Sequence, residues 1–407
     1  MIEIKLENKA LLFTSLGHFI NDGVFFLFPV LTTLLSVQKS FSPWIIGILF
    51  AIYYGSSTVF TTFISARADK TKRYSEGIAI GIALLSLGLI IFMVSLLIPP
   101  STLLITLVVL STIVLGVGTG YYHPLGAAVL QNVVTRNNLG KALGINGGLG
   151  SIGRAIYPTI FFGIAVLFTY SASLGFLSAL GFLAALMIYF ELKNIVKINI
   201  KQKKENMGKS IKNAITKGIL ILSILTFARA LATQGIVSWI PFYLSYTRGM
   251  GLSLSLGTTM TIMYTIAIIG QPLFGILADK FDRRYLLILS TIGSGLAVIG
   301  YVLTEGYLSL LLLIIFAFFN FTGFPILMAL TKDYVRSTSS LSNSLVWGIA
   351  NTGGMVIGPL VVGSFLLNSY SGLVIIYEVL AVFIIIIGFF TFLLPKPSEK
   401  SKMPLFG

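Results

Sequence analysis

The sequence predicts an all-α membrane protein of twelve transmembrane helices, arranged as two related six-helix bundles. Three observations lead to this prediction. Hydrophobic residues make up 56% of the 407 residues and charged residues only 10%, and the mean hydropathy of +0.95 is too high for a soluble surface. Apolar segments long enough to cross a bilayer recur along the chain. Residues of the first half also recur in the second half.

The twelve spans are apolar segments bounded by charged residues or by Gly and Pro residues. Each has about 20 residues or more, the length that a helix needs to cross a hydrocarbon core of about 30 Å. Such continuous apolar runs exclude barrel strands, in which apolar and polar residues would alternate. The first six spans are expected near 10–36, 43–66, 75–98, 102–134, 140–169 and 171–192, and the second six near 218–245, 255–278, 285–304, 307–331, 340–368 and 371–394.

Positive charges predict the orientation of these helices. With the N-terminus inside, almost all Lys and Arg residues of the short loops fall on the inner side, and only Lys39 and Arg248 fall on the outer side. We therefore expect a multi-pass protein of the cell (cytoplasmic) membrane with both termini in the cytoplasm. The predicted domains are an N-terminal bundle at 1–192, a basic cytoplasmic linker at 193–217, a C-terminal bundle at 218–394 and a cytoplasmic tail at 395–407.

The composition also excludes several classes of protein. The net charge of +15 comes from cations scattered between apolar spans rather than gathered on one solvated face, so no nucleic-acid partner is predicted. The chain has two histidines, no cysteine and no motif of a metal site or of paired catalytic carboxylates. We therefore predict neither an enzyme nor a metal or cofactor site, and we expect the lipid bilayer as the surroundings.

Matched residues relate the two halves of the chain. Two residues of the first span recur in the seventh at an offset of 212, and three residues of the fifth recur in the eleventh at an offset of 205. The pairs are Gly23 with Gly235, Pro29 with Pro241, Asn146 with Asn351, Gly148 with Gly353, and Gly153 with Gly358. Because six spans return the chain to the same side of the membrane, this is a parallel repeat.

The loops after the second and eighth spans carry a further matched pair. Asp69 and Arg73 follow the second span, and Asp279 and Arg283 follow the eighth span 210 residues later. The later loop resembles the cytoplasmic motif of the major facilitator superfamily, and the earlier loop is a degraded copy with Ser65 in place of a glycine. The resemblance extends over essentially the whole chain. It implies alternating access by a protein that functions as a monomer.

Two segments resemble one branch of the superfamily. His18, Asn21 and Asp22 in the first span, and Tyr122-His123-Pro124 in the fourth, are similar to motifs of the fosmidomycin-resistance branch. This resemblance implies efflux of a drug or other small molecule, driven by proton antiport.

Four ionisable residues are predicted at one depth in the bilayer. Asp22, His123, Arg154 and Arg229 are each 12 or 13 residues from a cytoplasmic cation. This places them roughly 18–20 Å along their helices, near the bilayer midplane. Such groups are costly in hydrocarbon, so we expect them to face a cavity or one another.

Asp22 is the predicted proton carrier. Burial and nearby cations control when a carboxylate binds a proton, and His18, one helical turn earlier on the same face, could share that proton. The alternative is that Asp22 pairs permanently with Arg154 or Arg229 and only holds helices together.

Five residues are candidate ligands of the small-molecule substrate. Arg154 and Arg229 would attract an anionic group, unless a carboxylate or backbone carbonyls already occupy them. His123, which precedes a proline, either binds substrate or protons, or is hydrogen-bonded within a kinked helix. Gln234 aligns with the first-span aspartate across the repeat and either donates to substrate or bridges two helices. Asn21 is the fifth candidate.

The predicted gate lies at the cytoplasmic loops. Asp69, Arg73, Asp279 and Arg283 are expected to form salt bridges and helix-end contacts that hold one access state. The alternative is ordinary solvation of loop residues.

The sequence thus predicts a secondary active transporter. Proton-coupled efflux of a small molecule is the first hypothesis. Proton-coupled uptake of an anion is the alternative, because two arginines are predicted near the midplane. A membrane sensor that binds its ligand without transporting it is a more remote alternative.

Overall fold

The computed structural model describes residues 6–135, 138–193, 216–334 and 340–396. Twelve of its helices are long and apolar enough to cross a membrane, and the described residues contain no β-strand, which confirms the predicted fold class. The helices are α1 (Leu6–Lys39), α2 (Pro43–Ala68), α3 (Tyr74–Leu97), α4 (Thr102–Val133), α5 (Leu139–Leu167), α6 (Tyr170–Leu192), α7 (Lys217–Thr247), α8 (Leu254–Lys280), α9 (Arg283–Leu303), α10 (Gly306–Asp333), α11 (Ser344–Leu366) and α12 (Tyr370–Leu393).

Several helices begin at a polar side chain that the sequence places just before an apolar run. Ser101, Thr169, Thr216 and Asp282 precede α4, α6, α7 and α9, and each side-chain oxygen accepts a hydrogen bond from a backbone N–H two or three residues later. Such caps satisfy donors that have no partner within the helix. They explain why these helices start where they do.

The helix α10 is broken, although the sequence analysis treated 307–331 as one continuous span. Its first part is Gly306–Phe321 and its second part is Gly323–Asp333. Pro325 has no N–H to donate to the carbonyl of Phe321, so the regular hydrogen-bond ladder is interrupted at this point. Short π-helical turns also end α7 and begin α11, which is a common irregularity at functional positions.

The helices pack into two compact units. Among the described residues, the N-terminal unit contains those within 6–41, 49–193 and 249–261, and the C-terminal unit those within 42–48, 216–248 and 262–396. The predicted linker at 193–217 and the predicted tail at 395–407 fall almost entirely outside the described residues. Their boundaries therefore stay predictions.

The same close helix crossing occurs in each unit. In the N-terminal unit, a Cβ added to Gly153 of α5 would lie 2.7 Å from the carbonyl carbon of Phe19 on α1. In the C-terminal unit, a Cβ added to Gly358 of α11 would lie 2.9 Å from the carbonyl carbon of Leu231 on α7. The two glycines are 205 residues apart and the two carbonyls 212, the offsets found in the sequence. The same helix-to-helix contact therefore recurs in both units, since only glycine permits such a close approach of two backbones.

The helix α1 is the most shielded of the twelve. In its most apolar 18-residue window, 83% of the residues are buried inside the protein, whereas the value for each other helix is between 33% and 56%. Polar side chains at the middle of α1 are therefore kept away from lipid, where their cost would be greatest.

Candidate functional site

Four ionisable side chains meet at the middle of α1, and we call them the Asp22 cluster. Asp22 and His18 are on α1, His123 is on α4 and Arg154 is on α5. All belong to the N-terminal unit. The structure thus brings together three of the four residues that the sequence predicted at one depth, together with the histidine one turn from Asp22.

The two carboxylate oxygens of Asp22 have different partners. Nη2 of Arg154 donates to Oδ2 at 3.0 Å. The other oxygen, Oδ1, faces Nε2 of His18 at 3.5 Å and Nε2 of His123 at 3.4 Å, and it accepts a hydrogen bond from Nδ2 of Asn21 at 3.2 Å. Asp22 is therefore charge-paired with Arg154 while it presents one oxygen to two imidazoles.

A hydrogen-bond network indicates which nitrogen of His18 carries a proton. Thr14 donates its hydroxyl hydrogen to the carbonyl of Ala10 at 2.7 Å. Tyr122 donates to its nearer acceptor, the carbonyl of Thr14 at 2.8 Å, while Oδ1 of Asn146 lies farther away at 3.1 Å. Both hydroxyl oxygens are then acceptors for Nδ2 of Asn146, at 3.3 and 2.9 Å. Asn146 consequently directs its Oδ1 at Nδ1 of His18, 2.9 Å away. Because an amide oxygen only accepts, Nδ1 of His18 is the donor.

This tautomer determines what faces Asp22. When His18 is neutral and its proton is on Nδ1, the lone pair of Nε2 points toward Oδ1 of Asp22, 3.5 Å away. Two lone pairs repel, whereas a proton on Nε2 makes the contact an attractive one between an imidazolium and a carboxylate. Nε2 of His18 is thus an atom at which proton binding changes the sign of the interaction.

The cluster is more open at one member than at the others. The side chains of Asp22, His18 and Arg154 are 3%, 13% and 13% exposed, whereas that of His123 is 61% exposed. Gly150 of α5 leaves room for the His18 ring, since a Cβ there would lie 2.7 Å from the ring Cγ. His123 is therefore the most exposed member of the cluster.

Three members also meet a distance criterion for a metal ion. One potential ligand atom each from His18, Asp22 and His123 lies within 4.8 Å of the others, and imidazole and carboxylate are ligands that Zn²⁺ accepts. Arg154 opposes this use, because its guanidinium already occupies the same carboxylate and would repel a divalent cation. The arrangement does not favour a metal ion, and the absence of a metal site stays a prediction.

Arg229 lies on α7 in the C-terminal unit. Only 6% of the residue is exposed. Its Nη2 donates to the carbonyl of Asn320 at 3.0 Å and makes a longer contact of 3.4 Å to that of Phe319, at the end of the first part of α10. The structure thus shows the carbonyl contacts that the sequence analysis considered. Among the described residues no acidic side chain forms an ion pair with it.

A comparison with protein families identifies the group to which this architecture belongs. The family model described as Major Facilitator Superfamily matches residues 14–346 and 254–406. The chain belongs to the major facilitator superfamily. Membership makes it a membrane transporter of the secondary type and not an enzyme, as the sequence predicted.

Individual relatives within the superfamily are distant. The uncharacterized MFS-type transporter YfnC of Bacillus subtilis is 25% identical over 401 residues, 96% of this chain and 93% of YfnC. Multidrug resistance protein 2 of the same organism is 23% identical over 346 residues, 83% of each chain. A bacterial homolog of the human lysosomal transporter Spinster, in an inward-facing and unoccupied conformation, shares the fold with a TM-score of 0.73 at 15% identity, over 95% of this chain and 96% of that one.

The superfamily's loop motif after α8 forms an ion-pair cluster. Arg283, whose side chain is 14% exposed, lies 3.7 Å from Asp279 and forms a closer pair with Asp333 at the end of α10. Its Nε donates to the carbonyl of Ala278 at 2.9 Å. Because the side chain of Asp279 is 81% exposed, Asp333 is the stronger partner. The gating role of Asp279 and Arg283 stays a prediction.

The first copy of the loop motif is more exposed. The Arg73 side chain is 72% exposed, and its Nε lies 3.4 Å from Glu76. The side chain of Asp69 lies outside the described part of the chain. An exposed pair of this kind contributes about 0–1 kcal/mol, so the contact of Arg73 alone does not favour gating over solvation.

The two remaining candidate ligands have internal hydrogen bonds. Gln234 donates to Oγ of Ser238, one turn later on α7, at 3.1 Å. Asn21 is fully buried and donates to Asp22. Their roles as substrate ligands stay predictions.

The sequence analysis did not assign site roles to three residues. Asn146 served only as a marker of the repeat, Tyr122 only as part of a motif, and Asp333 was not considered. Asn146 and Tyr122 are polar residues in apolar helices that also carry Arg154 and His123. The presence of a second polar residue on the same helix as a charged one, on α5 and on α4, could have identified them from the sequence.

Proposed function

We propose that this transporter is driven by protons and exports a small molecule, with the coupling proton held between His18 and Asp22. The observation that carries the proposal is the orientation of the His18 ring. Asn146 keeps a proton on Nδ1, so Nε2 faces a carboxylate oxygen at 3.5 Å and is the atom available to take up a second proton.

The charges of the Asp22 cluster explain how a proton can be coupled to transport. With neutral imidazoles, the charges of Asp22 and Arg154 cancel, and a proton on His18 makes the cluster positive. An extra charge is costly where water is excluded and cheap where water enters. Proton occupancy therefore depends on which access state the protein adopts, as alternating access requires.

His123 supports a route for the proton. Its side chain is 61% exposed, and its Nε2 lies 3.4 Å from the same oxygen of Asp22 that faces His18. A proton taken up by His123 from water has a carboxylate within reach and a second imidazole beyond it. We assign His123 as the entry point and the His18–Asp22 pair as the place where the proton is held.

Export is supported by two resemblances. One relative is named a multidrug resistance protein, and the motifs around His18 and His123 resemble the fosmidomycin-resistance branch. In export by proton antiport, the carrier holds either the substrate or a proton. It therefore releases the substrate on the outer side as it takes up a proton there. Neutral or anionic compounds and drugs are the substrates to be screened.

Uptake of an anion together with a proton is the second candidate. It is favoured by Arg229, a buried cation with no acidic partner among the described residues. A proton and an anion that enter together add no net charge to the interior, which is the electrostatic advantage of symport in a membrane.

The test is proton flux in proteoliposomes that contain a pH-sensitive dye. A panel of organic anions and hydrophobic drugs is applied with an imposed substrate gradient to the wild type, Asp22→Asn and Glu191→Gln. Glu191 pairs with Lys9 and provides a matched loss of a carboxylate outside the Asp22 cluster. Antiport moves protons against the direction of the substrate, and symport moves them with it.

We expect a substrate-dependent proton flux in the wild type and in Glu191→Gln, and none in Asp22→Asn. Equal flux in all three proteins would leave Asp22 as only the structural partner of Arg154. Substrate binding without counterflow of labelled substrate in the wild type would favour a sensor instead of a carrier.

A further inference from the structure

The two arginines predicted near the bilayer midplane are in different electrostatic situations. Arg154 is paired with the carboxylate of Asp22 at 3.0 Å. Arg229 is 6% exposed, and its hydrogen bonds within the described residues go to the uncharged backbone oxygens of Phe319 and Asn320. A guanidinium stays ionised in a protein, so within the described residues the charge of Arg229 is not neutralised by an acidic side chain.

The hydrogen-bonding capacity of Arg229 is also incompletely used. Nη2 contacts the two carbonyls, but the buried Nε has no hydrogen-bond partner among the residues that the structure describes. Within the same residues, two hydroxyls on α7 share this property, the buried Oγ1 of Thr226 and Oγ of Ser223. Buried polar atoms nearly always have partners, so three unsatisfied groups on one helix indicate a place where a ligand or water belongs.

These three groups lie along one face of α7. Residues 223, 226 and 229 are spaced by three, and such residues are neighbours on a helix surface. Thr226 is 1% exposed and directly precedes Arg229 on this face. An anion that bridges the Thr226 hydroxyl and the Arg229 guanidinium would satisfy two of the unsatisfied donors and neutralise the charge.

The guanidinium of Arg229 lies against the break in α10. A Cβ on Gly323, the first residue after the break, would lie 2.6 Å from Nη1 and 2.8 Å from Cζ of Arg229. Glycine at this position therefore leaves the space that the guanidinium occupies. The guanidinium uses one edge to contact the end of the first part of α10, and its Nε edge remains for a ligand.

We propose that Arg229 and Thr226 form an anion-binding subsite for a substrate that carries one carboxylate. One arginine and one or two hydroxyls match a single negative charge, and the edge of a guanidinium matches a carboxylate geometrically. A dianion would bring more charge than this site can neutralise. The assignment names a substrate class for the transporter, so it rests on the proposed function, and it assigns anion recognition to Arg229 rather than Arg154.

The experiment compares acids with their uncharged amides on the purified full chain in nanodiscs of neutral lipid. Acetate, benzoate and octanoate are paired with acetamide, benzamide and octanamide, and binding is measured by calorimetry and by the shift of the unfolding temperature. The variants are Arg229→Gln, Arg229→Lys, Thr226→Val and Thr226→Ser.

Arg248→Gln is the matched control. Arg248 also donates to backbone carbonyls, those of Tyr301 and Thr304 at 2.6 and 2.7 Å, in the same unit. It therefore reports the loss of an arginine that caps a helix end. A structural role alone would lower the unfolding temperature of both arginine variants without changing the preference for acid over amide.

We expect at least one acid to bind tenfold or more tightly than its amide in the wild type and in Arg248→Gln. Arg229→Gln should abolish this preference, Arg229→Lys should retain part of it, and Thr226→Val should weaken it severalfold while Thr226→Ser does not. The inference is overturned if no acid is preferred to its amide, or if Arg229→Gln keeps the preference.

Proton flux separates failure of this inference from failure of the proposed function. If flux depends on Asp22 but no acid is preferred, the transporter is proton-coupled and the anion subsite is wrong. If an acid is preferred through Arg229 but Asp22→Asn has normal flux, the anion subsite stands and the proton assignment is wrong.

Discussion

Neutralising Asp22 should destabilise the protein more than neutralising Asp22 and Arg154 together. The Asp22 and Arg154 side chains are 3% and 13% exposed, and their closest polar atoms are 3.0 Å apart. Asp22→Asn leaves the Arg154 guanidinium buried without its carboxylate, and breaking a buried pair in this way costs about 3–5 kcal/mol. The contact of Arg154 with the Phe26 ring, 4.4 Å from the centroid, is present in both proteins and does not change this difference. A loss of about 3–5 kcal/mol is expected.

The double variant Asp22→Asn/Arg154→Gln contains no buried unpaired charge. It loses only hydrogen bonds, each of which contributes about 0.5–1.5 kcal/mol, so it should be more stable than Asp22→Asn. Arg154→Gln alone should cost less than Asp22→Asn, because a proton on His18 can replace the missing positive charge.

The assay is reversible unfolding of the four proteins in lipid nanodiscs, evaluated as a double-mutant cycle. The reasoning requires a coupling free energy of about 2 kcal/mol or more between the two positions. Independent sites add within about 0.3–0.5 kcal/mol. If the cost of the double variant equals the sum of the two single costs, Asp22 and Arg154 do not form the charge pair on which the description of the cluster depends.

Three further predictions concern other parts of the chain. Asn146→Leu leaves the buried Nδ1–H of His18 without an acceptor, and an unsatisfied buried donor costs about 1–3 kcal/mol. This cost disfavours the tautomer that faces Asp22, so substrate-dependent proton flux should fall roughly tenfold. Asp333→Asn removes a largely buried partner from the arginine after α8, so it should lower the unfolding temperature more than Asp279→Asn, whose side chain is 81% exposed. Burial raises the pKa of Asp282, but the hydrogen bonds and charge of Arg284 outweigh burial and lower it. Its contribution to stability should therefore be complete at pH 7 and be lost as the pH falls below about 4.

Each of these predictions has a control. Asn132→Leu removes an amide of α4 whose hydrogen bond, within the described residues, goes to the carbonyl of Ala128, and a loss of flux as large as in Asn146→Leu would refute the tautomer argument. Equal melting of Asp333→Asn and Asp279→Asn would contradict the ranking of the two carboxylates. For Asp282, the stability difference between wild type and Asp282→Asn should shrink on acidification, and a constant difference would refute the ion-pair origin.

Depth along a helix could be read from the sequence, whereas rotation about the helix axis could not. Counting from the cations that were predicted to be cytoplasmic was enough to place Asp22, His123 and Arg154 at one level, and the i, i+4 spacing placed His18 beside Asp22. The role of Asn146 depends on which face α5 turns toward α1. Packing between distant segments determines that face, and a count of residues along one helix contains no information about such packing.

The second unit shows the same limit. Arg229 was predicted from its depth, but its carbonyl partners depend on the break in α10. Gly323 and Pro325 marked that break in the sequence, yet the surrounding run is apolar enough to pass for one continuous helix. Asp333 was missed because its partner is on another helix, 50 residues away.

The two halves share a helix crossing but differ in the charged residues next to it. Both copies retain a glycine at the crossing, Gly153 and Gly358, yet the positions equivalent to Asp22 and Arg154 are occupied by Gln234 and Pro359. The duplicated architecture was thus retained while the charge pair is present in only one copy. A backbone contact made by glycine tolerates no side chain, whereas the neighbouring positions carry different side chains, so the two halves share this crossing and differ in the charge beside it.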